Sequence, residues 1–574
     1  MKHSSSPFSM FNAFKNSAFA KISFKRGTLV CMVCTCLLSL FTASDSPHVI
    51  TIFTIGDSTC ANKSLSNGNL ERGWGQALSS YFDSRYVVVD NHAVNGRSTL
   101  SFRNEGRWDV VLERIKPGDY VLIQFGHNDQ KPNADRHTDP GTTYNDQLKQ
   151  YVKETREKGG HPVLLTSIIR RKFDEQGQLV DTHGDYIQAV RDVAAELGVP
   201  LIDHNKSSHE LVQNMGPDAS KRLFMWVDKG TNPAAPSGKQ DDTHLRAAGA
   251  RAMAKLVVEA LASQCEELAP HVRYYDLVVA KDGSGDFMTV QEAINAVPVN
   301  RAKRTTLFIR KGVYKEKVQV PASCSNLTMI GESAAETILT YDDFAGKPTA
   351  FGDNTGTYGS GSFYIYGQGF EAINLTFANE AGPVGQAVAV VVAADKVAFK
   401  GCRFLGFQDT LYTWGKPSRQ YYEDCYIEGT VDFIFGSSTA VFNRCEIRSK
   451  RSGGYLTAAS TPEGTPYGYV FLDCKLTADE GVEGVYLGRP WRPYAKTVFI
   501  RCHMGSHIRP EGWHNWNKSS NEKTVFYAEQ ASDGPGSNAS SRVKWSKQLK
   551  KKQLKNYTPS IILAGTDGWV PLLP

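Results

Sequence analysis

Two aspartates at equivalent places in neighbouring copies of a repeat are the residues best suited to chemistry in this sequence. Asp409 in "GFQDTLY" lies seven residues after Cys402, and Asp432 in "GTVDFIFG" lies seven residues after Cys425. If the copies stack, the two carboxylates lie on adjacent strands about 4.8 Å apart. Carboxylates at that distance repel each other, so their pKa values separate, and one stays ionised while the other holds a proton. Such a pair can act as an acid with a nucleophile, or as an acid with a base.

Two glutamines are predicted to flank this pair. Gln408 precedes Asp409, and Gln386 in "GPVGQAVAV" lies 22 residues, nearly one copy of the repeat, before Gln408. A retaining glycosidase also uses two carboxylates about 5 Å apart. Amide donors beside the pair favour instead the stabilisation of an oxyanion formed from a carbonyl group. The alternative without chemistry is a ladder of solvated polar side chains on the outside of the fold.

The repeat that positions these residues is marked by cysteines. Each copy has a run of aromatic or β-branched residues, a cysteine, and an apolar residue two positions later, which is the alternation of a β-strand. No helix of crossover length separates the copies, which excludes a βαβ sheet and indicates the stacked coils of a parallel β-helix. The cysteines then form an internal ladder of small apolar side chains, although neighbours could be close enough for a disulfide. They are Cys402, Cys425, Cys445, Cys474 and Cys502.

A second set of reactive residues occurs in the first half of the sequence. "TIGDSTC" contains Ser58, and "DDTHL" contains Asp241 and His244, three residues apart on one turn. A serine hydroxyl becomes a nucleophile when a histidine base lies within hydrogen-bonding reach and a carboxylate orients that base. The amides of Ser58 and Gly96 and the side chain of Asn128 can then stabilise the oxyanion. Taken singly, Ser58 is typical of a helix N-cap and His244 of a surface histidine.

These residues follow the ends of predicted strands or, for Asp241 and His244, precede the last predicted helix. Apolar runs alternate with helical patterns, which is typical of a three-layer α/β domain with a parallel sheet. In such a sheet the active groups gather at the carboxyl ends of the strands. The apolar runs are 48–57, 86–94, 120–129, 162–169 and 199–204, and the helical patterns include 143–158, 183–197 and 245–263.

Residues 276–574 resemble the pectin methylesterases through several motifs in the family's order, including "DGSGDFMTVQEAINAVP", "GVYKEKV", "GFQDTLY", "GTVDFIFG", "YLGRPWRPYA" and "PEGWHNW". The resemblance implies a right-handed parallel β-helix without a metal or other cofactor. It implies that Asp432 attacks the methyl ester of galacturonate to form an acyl-enzyme. Asp409 then protonates the departing methanol and activates water. The remaining implied roles are the oxyanion donors Gln386 and Gln408, the guanidinium of Arg489 that keeps Asp432 ionised, and the groove aromatics Tyr412, Phe435 and Trp491.

For Tyr412 and Phe435, packing within the core is the alternative to a place in the groove.

Residues 48–263 resemble the SGNH, or GDSL-type, hydrolases, and "GDST", "GHND" and "DDTH" are most similar to the rhamnogalacturonan acetylesterase branch. One departure is the stretch 206–240, whose turn-forming part "FMWVDKGTNPAAPSGKQ" is predicted to be a loop insertion near Asp241.

The first 44 residues carry five basic residues and no acid, and they include the apolar run 27–43. This pattern predicts a secretory signal peptide cleaved near Ala43, with a signal anchor as the alternative. Without those five charges the formal net charge falls from +6 to +1, so the overall basicity is weak evidence for a polyanionic partner. We expect a secreted protein, periplasmic or extracellular, with no nucleic-acid partner and no stable membrane insertion after cleavage.

The sequence therefore predicts two domains behind a signal peptide. They are an α/β domain at 45–263 and a β-helix at 276–574, joined by a short linker at 264–275 that leaves the domains in contact. The expected function is removal of methyl and acetyl esters from homogalacturonan and acetylated rhamnogalacturonan in plant cell walls. One alternative is deacetylation of another polysaccharide such as xylan by the first domain. Another is a β-helix that binds carbohydrate without catalysis.

Overall fold

The computed structural model describes residues 49–571. The predicted signal peptide at 1–44 lies outside the described residues. Within the described part of the chain, no helix is long and apolar enough to cross a membrane.

The first part of the described chain is a three-layer α/β domain. Its parallel sheet has five strands in the spatial order Val87–Asn91, Ile50–Gly56, Tyr120–Gln124, His161–Leu165 and Leu201–Ile202. Separate apolar clusters cover the two faces of the sheet, which explains why its central strands read as continuous apolar runs. Four of the five predicted apolar runs contain one of these strands, and the run 162–169 overlaps the strand His161–Leu165, which begins one residue earlier. The helices are Trp74–Leu78, Thr99–Asn104, Arg107–Leu112, Thr143–Glu157, Asp185–Leu197, His204–Ala219 and Ala247–Gln264.

The second part is a parallel β-helix, as predicted, and its strands form three sheets. The first sheet contains Leu277–Val279, Thr305–Ile309, Leu327–Gly331, Glu371–Ile373, Val397–Lys400, Arg419–Glu423, Thr439–Asn443, Tyr469–Leu472, Lys496–Ile500, Phe526–Gln530 and Lys547–Gln548. The second contains Gly312–Lys315, Thr337–Tyr341, Thr376–Asn379, Arg403–Leu405, Tyr426–Gly429, Glu446–Ser449, Lys475–Ala478 and His503–Met504. The third contains Val318–Val320, Phe363–Ile365, Val390–Val392, Leu411–Thr413, Ile434–Gly436, Tyr455–Ala459 and Tyr486–Gly488. Short helices lie at Val290–Asn295, Gly356–Gly359, Ser519–Glu522 and Pro559–Ile562.

The repeat cysteines lie at the tight turn between the first and second sheets. Each is preceded by one residue with a positive φ, which reverses the chain within a single position. Arg444 donates to Asp424 at 2.8 Å and Arg501 donates to Asp473 at 2.7 Å, so charged turn residues of neighbouring coils pair with each other. The cysteine side chains point into the core, and all eight described cysteines are free thiols. The turn residues are Gly401, Asp424, Arg444, Asp473 and Arg501.

The two domains contact each other directly. Arg251 on the last helix of the α/β domain forms an ion pair with Asp286 of the β-helix, with 2.7 Å between Nε and Oδ1. Gln76 donates to the carbonyl oxygen of Asp282 at 3.0 Å. Both Arg251 and Gln76 are buried, so these contacts lie within a packed interface.

Candidate active sites

The paired aspartates lie in the turns that lead into the third sheet of the β-helix. Strand Leu411–Thr413 pairs with Ile434–Gly436 so that Leu411 lies opposite Ile434, and the same register sets Asp409 opposite Asp432. Both aspartates have positive φ values, 66° and 50°. The prediction that they lie on the strands themselves is therefore wrong, because a left-handed residue ends the extended backbone. The turn aims both carboxylates at the outer face of the sheet.

The predicted pairing of the two glutamines is present. Gln386 and Gln408 form an isolated parallel bridge one coil apart. Their side chains line the same cavity as Asp409 and Asp432. Two amide groups and two carboxyl groups therefore meet in one place.

Arg489 holds Asp432 through two parallel hydrogen bonds. Its Nε donates to Oδ1 at 2.9 Å and its Nη2 donates to Oδ2 at 2.7 Å. The guanidinium lies between two aromatic faces, with its Cζ 3.9 Å from the ring centroids of both Tyr455 and Trp516. The sequence interpretation missed both rings, although Trp516 belongs to the "PEGWHNW" motif. Stacking from two sides fixes the plane of the guanidinium.

The environment separates the pKa values of the two carboxyls. Burial, and then the charge of Asp432, raise the pKa of Asp409 well above its usual value. Burial also raises the pKa of Asp432, but the hydrogen bonds and charge of Arg489 oppose that rise. Asp432 is thus the member of the pair that ionises first, and Asp409 retains a proton.

A cavity of about 470 Å³ opens over this pair. The three predicted groove aromatics, Tyr412, Phe435 and Trp491, all line it. The rings of Tyr412 and Phe435 stack with centroids 4.3 Å apart on the outer face of the third sheet. They therefore pack against each other and line the cavity at once. The other lining residues, besides those named above, are Thr357, Tyr358 and Ala458.

In the α/β domain, Ser58, His244 and Asp241 form a hydrogen-bonded chain. His244 Nε2 lies 3.0 Å from Ser58 Oγ, and His244 Nδ1 lies 2.8 Å from Asp241 Oδ2. Burial would raise the pKa of the Asp241 carboxyl, but hydrogen bonds from the His244 side chain and from the amides of His244 and Thr243 bring it well below its usual value. Asp241 is therefore an ionised partner for the imidazole.

The predicted oxyanion donors lie beside this chain of residues. Gly96 has a φ of 76° in the loop after Val87–Asn91. Asn128 follows Tyr120–Gln124, is almost fully buried, and donates to the carbonyl oxygen of Arg97 at 3.0 Å. That bond ties Asn128 to the residue next to Gly96.

The stretch 206–240 is more ordered than the loop insertion that was predicted for its part 224–240. It contains most of the helix His204–Ala219 and an antiparallel hairpin formed by Phe224–Val227 and Lys239–Arg246. Only the connection between those strands uses the turn-forming residues. Asp241 and His244 lie within the second hairpin strand, and the Asp241 carboxylate accepts the backbone N–H of His244 at 3.0 Å.

Lys239 is a further neighbour that the sequence interpretation missed. Its Nζ lies 3.1 Å from Asp241 Oδ2 and 3.6 Å from Glu71 Oε2.

Among residues 49–571, no group of three or more His, Cys, Asp or Glu side chains is arranged to hold a metal ion.

The fold and the two sites define a carboxylic ester hydrolase. The family model described as "Pectinesterase" matches residues 276–566, just over half of the chain, and the chain belongs to the pectinesterase family. A second model, described as "GDSL-like Lipase/Acylhydrolase family", matches residues 54–252. The chain thus joins a GDSL-like domain to a pectinesterase domain.

Curated relatives and solved structures are similar to about half of this chain. "Pectinesterase 31" of Arabidopsis thaliana is 44% identical over 279 residues, which cover 47% of this chain and 86% of the relative. "Pectinesterase/pectinesterase inhibitor PPE8B" of Prunus persica is 38% identical over 312 residues, covering 52% of this chain and 58% of that relative. The chain thus spans little more than half of the second relative's length. The structure of "Pectin methylesterase from Carrot" is similar with 34% identity and a TM-score of 0.48, covering 51% of this chain and 94% of that chain.

Proposed function

We propose that this protein is a secreted enzyme that removes two kinds of ester from pectin. The β-helix, residues 276–574, hydrolyses methyl esters of galacturonate, and the α/β domain, residues 45–263, hydrolyses acetyl esters. The observation that carries the first activity is the pair of hydrogen bonds by which Arg489 holds Asp432 beside the buried Asp409, whose pKa is raised. The second activity is supported by the hydrogen-bonded chain from Ser58 to Asp241.

In the β-helix, Asp432 attacks the carbonyl carbon of the methyl ester and a tetrahedral oxyanion forms. The amide groups of Gln386 and Gln408 stabilise that oxyanion by hydrogen bonds. Asp409 gives its proton to the leaving methoxide, so methanol departs and an acyl-enzyme anhydride remains. Asp409, now ionised, takes a proton from water, whose oxygen attacks the anhydride. The anhydride bond breaks, Asp432 leaves as a carboxylate, and Asp409 again carries a proton. The new carboxylic acid of the sugar loses its proton to solvent and departs as galacturonate.

In the α/β domain, His244 takes the proton of Ser58 as the hydroxyl oxygen attacks the acetyl carbonyl. The amides of Ser58 and Gly96 and the side chain of Asn128 stabilise the oxyanion. His244 then protonates the departing sugar hydroxyl. Water hydrolyses the acetyl-serine by the same steps and releases acetate. Asp241 remains ionised throughout and orients the imidazole.

The charge beside Gly96 favours an acidic substrate for the α/β domain over neutral xylan. A Cβ atom at Gly96 would lie 4.0 Å from Nη1 of Arg136. The other terminal nitrogen of Arg136, Nη2, pairs with Asp135 at 2.9 Å. Nη1 is therefore the nitrogen that faces Gly96. A guanidinium beside an oxyanion donor suits an acetylated sugar that also carries a carboxylate, as galacturonate does.

The alternative of a β-helix that binds carbohydrate without catalysis is disfavoured by the electrostatics of the cavity. Two buried carboxyls raise the energy of any bound polyanion unless one of them is neutral. A groove built only to hold an acidic sugar would gain affinity by losing both aspartates. The cavity instead contains both aspartates, and the charge of Asp432 is neutralised by Arg489.

The experiment that tests the proposal measures methanol and acetate released by the purified protein. The substrates are methylated pectin without acetyl groups, acetylated rhamnogalacturonan, and acetylated xylan. We expect methanol from the first, acetate from the second, and much less acetate from the third. Absence of methanol would refute the β-helix activity. Acetate from xylan at a rate equal to that from rhamnogalacturonan would refute the assignment of the α/β domain to pectin.

A further inference from the structure

A segment near the end of the described chain carries an unbalanced positive charge. No acidic residue occurs between Asp533 and Asp567, whereas seven basic residues do. Six of these are exposed lysines, which we call the C-terminal lysine surface. They are Lys544, Lys547, Lys550, Lys551, Lys552 and Lys555.

None of these six lysines forms an ion pair with a carboxylate among residues 49–571. Basic residues nearby behave differently. Arg542, the seventh basic residue of the segment, is buried and pairs with Glu529 at 2.9 Å. Arg501, which is exposed, pairs with Asp473 at 2.7 Å. The lysine surface is therefore a place where the β-helix leaves its positive charge uncompensated.

The segment is held in place by its apolar side chains. Leu549 belongs to the apolar cluster on the outer face of the first sheet, and Leu554 packs against that cluster. Strand Lys547–Gln548 pairs with Phe526–Gln530, and Lys547 Nζ lies 4.7 Å from the ring centroid of Phe526. The backbone is thus ordered, and the lysine side chains project from a fixed platform.

A further basic residue, Lys496, lies close enough to Lys547 for their charges to interact. Burial, and then the charge of Lys547, lower the pKa of Lys496. Lys496 Nζ donates to the carbonyl oxygen of Thr465 at 2.7 Å and has no carboxylate partner in the described chain. It begins the strand that follows Trp491, which lines the catalytic cavity. Exposed Arg492 lies between them in the chain.

Protection of a sheet edge does not account for this surface. Lysines on an edge strand prevent edge-to-edge pairing with another chain. The strand Lys547–Gln548 is the outermost strand of its sheet, so Lys547 fits that role. Lys550, Lys551, Lys552 and Lys555 lie beyond the strand, where no ladder groups remain to protect.

We propose that the C-terminal lysine surface binds de-esterified, polyanionic galacturonan. The inference rests on the proposed function, because each methyl ester hydrolysed in the β-helix leaves one carboxylate on the polymer. The enzyme thereby produces a chain of negative charges that complements its own lysines. Binding at a surface separate from the catalytic cavity holds the enzyme on the polymer after methanol leaves, and so favours successive hydrolysis along one chain.

Two quadruple variants of the full-length protein test this proposal. Lys547, Lys550, Lys551 and Lys552 are changed to Gln in the first. Lys116, Lys158, Lys229 and Lys303, which are exposed and form no ion pair in the described chain, are changed to Gln in the matched control. Both lose the same net charge. A third variant carries Arg at the first four positions and retains their charge.

Binding is measured against fully de-esterified polygalacturonate at about 20 mM and about 200 mM NaCl, a range over which exposed charges become strongly screened. We expect the first variant to bind about tenfold more weakly at low salt and to lose most of its salt dependence. The control and the Arg variant should bind within about twofold of the wild type. Release of methanol from a short methylated oligogalacturonide should be the same in all four proteins.

Equal weakening of the first variant and the control would overturn the proposal, because net charge alone would then explain binding. Unchanged binding of the first variant would also overturn it. So would tighter binding of the wild type to anionic phospholipid vesicles or to duplex DNA than to polygalacturonate at the same salt concentration. Absence of methanol release by the wild type would instead refute the proposed function, since the binding measurement does not depend on turnover.

Discussion

Arg489 and Asp432 are joined by two parallel hydrogen bonds of 2.9 and 2.7 Å although they are 57 residues apart in the chain. Asp409, on the neighbouring coil, has no such partner within residues 49–571, and it is 8% exposed beside the Asp432 carboxylate. The pKa values of both carboxyls are raised by burial, but that of Asp432 is raised less than that of Asp409. The difference comes from one guanidinium placed on one side of the pair.

Replacement of Asp432 by Asn should abolish methanol release. The amide keeps the volume of the side chain but cannot attack the ester, so we expect a loss of at least about a thousandfold in kcat. The initial rate of methanol release from methylated pectin measures the effect. Circular dichroism checks that the fold is retained. A rate near that of the wild type would show that Asp432 is not the nucleophile.

Replacement of Trp516 by Leu should reduce kcat by about tenfold with little change in KM, because the guanidinium loses one of its two stacking faces. A looser Arg489 holds less positive charge against Asp432, so the pKa of Asp432 rises. The acidic limb of the profile of kcat/KM against pH should therefore move to higher pH. Trp516→Phe retains an aromatic face and should restore most of both values. An activity loss without movement of the acidic limb would indicate a purely structural role for Trp516.

Replacement of Asp409 by Asn should stabilise the protein at neutral pH while removing activity. Below the usual pKa of 3.8 the carboxyl is protonated in the folded and the unfolded chain, so the substitution changes little there. As the pH rises above 3.8, ionisation of this carboxyl stabilises the unfolded chain, whereas the folded chain keeps it protonated. The free energy of unfolding of the wild type therefore falls by about 1.4 kcal/mol per pH unit until the pH passes the raised pKa.

We therefore expect a higher melting temperature for Asp409→Asn than for the wild type at neutral pH, and no difference near pH 4. Asp432→Asn is the matched control. It should change the melting temperature less at neutral pH, because Arg489 opposes the rise in the pKa of Asp432 and is left without a carboxylate partner in the variant. A decrease for Asp409→Asn at neutral pH would show that Asp409 is ionised in the folded protein.

Replacement of Ser58 by Ala should eliminate acetate release and leave methanol release from unacetylated pectin unchanged. Each proposed catalytic set lies within its own domain, so neither loses a member when the other is altered. On pectin that carries both esters, methanol release should slow where neighbouring acetyl groups hinder entry to the cavity. Comparison of initial rates on the two pectins separates these effects. Loss of methanol release from unacetylated pectin in a folded Ser58→Ala variant would refute the independence of the sites.

Replacement of Arg136 by Gln should raise KM for acetylated rhamnogalacturonan by about tenfold, because the substrate carboxylate loses a charged hydrogen-bond donor. Acetate release from a small neutral acetyl ester should not change. The ratio of kcat/KM for the two substrates is the quantity to compare between wild type and variant. An unchanged ratio would show that Arg136 does not bind a carboxylate of the substrate.

The spacing of residues in the sequence was sufficient to predict the β-helix and the closeness of Asp409 and Asp432. Both follow a repeat cysteine by seven residues, and in stacked coils an equal offset from the same turn places side chains at equal positions. The alternation of apolar runs and helical patterns likewise predicted the parallel sheet of the first domain. In both cases the information is local, since each element is set by the period of its own residues.

Other features depended on how distant parts of the chain meet. No repeating pattern in the sequence predicts the turn conformation of Asp409 and Asp432. The same is true of the stacking of Tyr455 and Trp516 on Arg489, and of the contact between Lys239 and Asp241. The hairpin at Phe224–Val227 and Lys239–Arg246 was hidden because its turn residues resemble a loop and its strands are short. The coils of the β-helix differ in length, so the loops that reach over the third sheet are placed by packing rather than by the repeat. Sequence alone determined which residues share a coil position, and only the tertiary structure decided which side chains from separate coils and loops touch, because those contacts depend on the path of the chain between them.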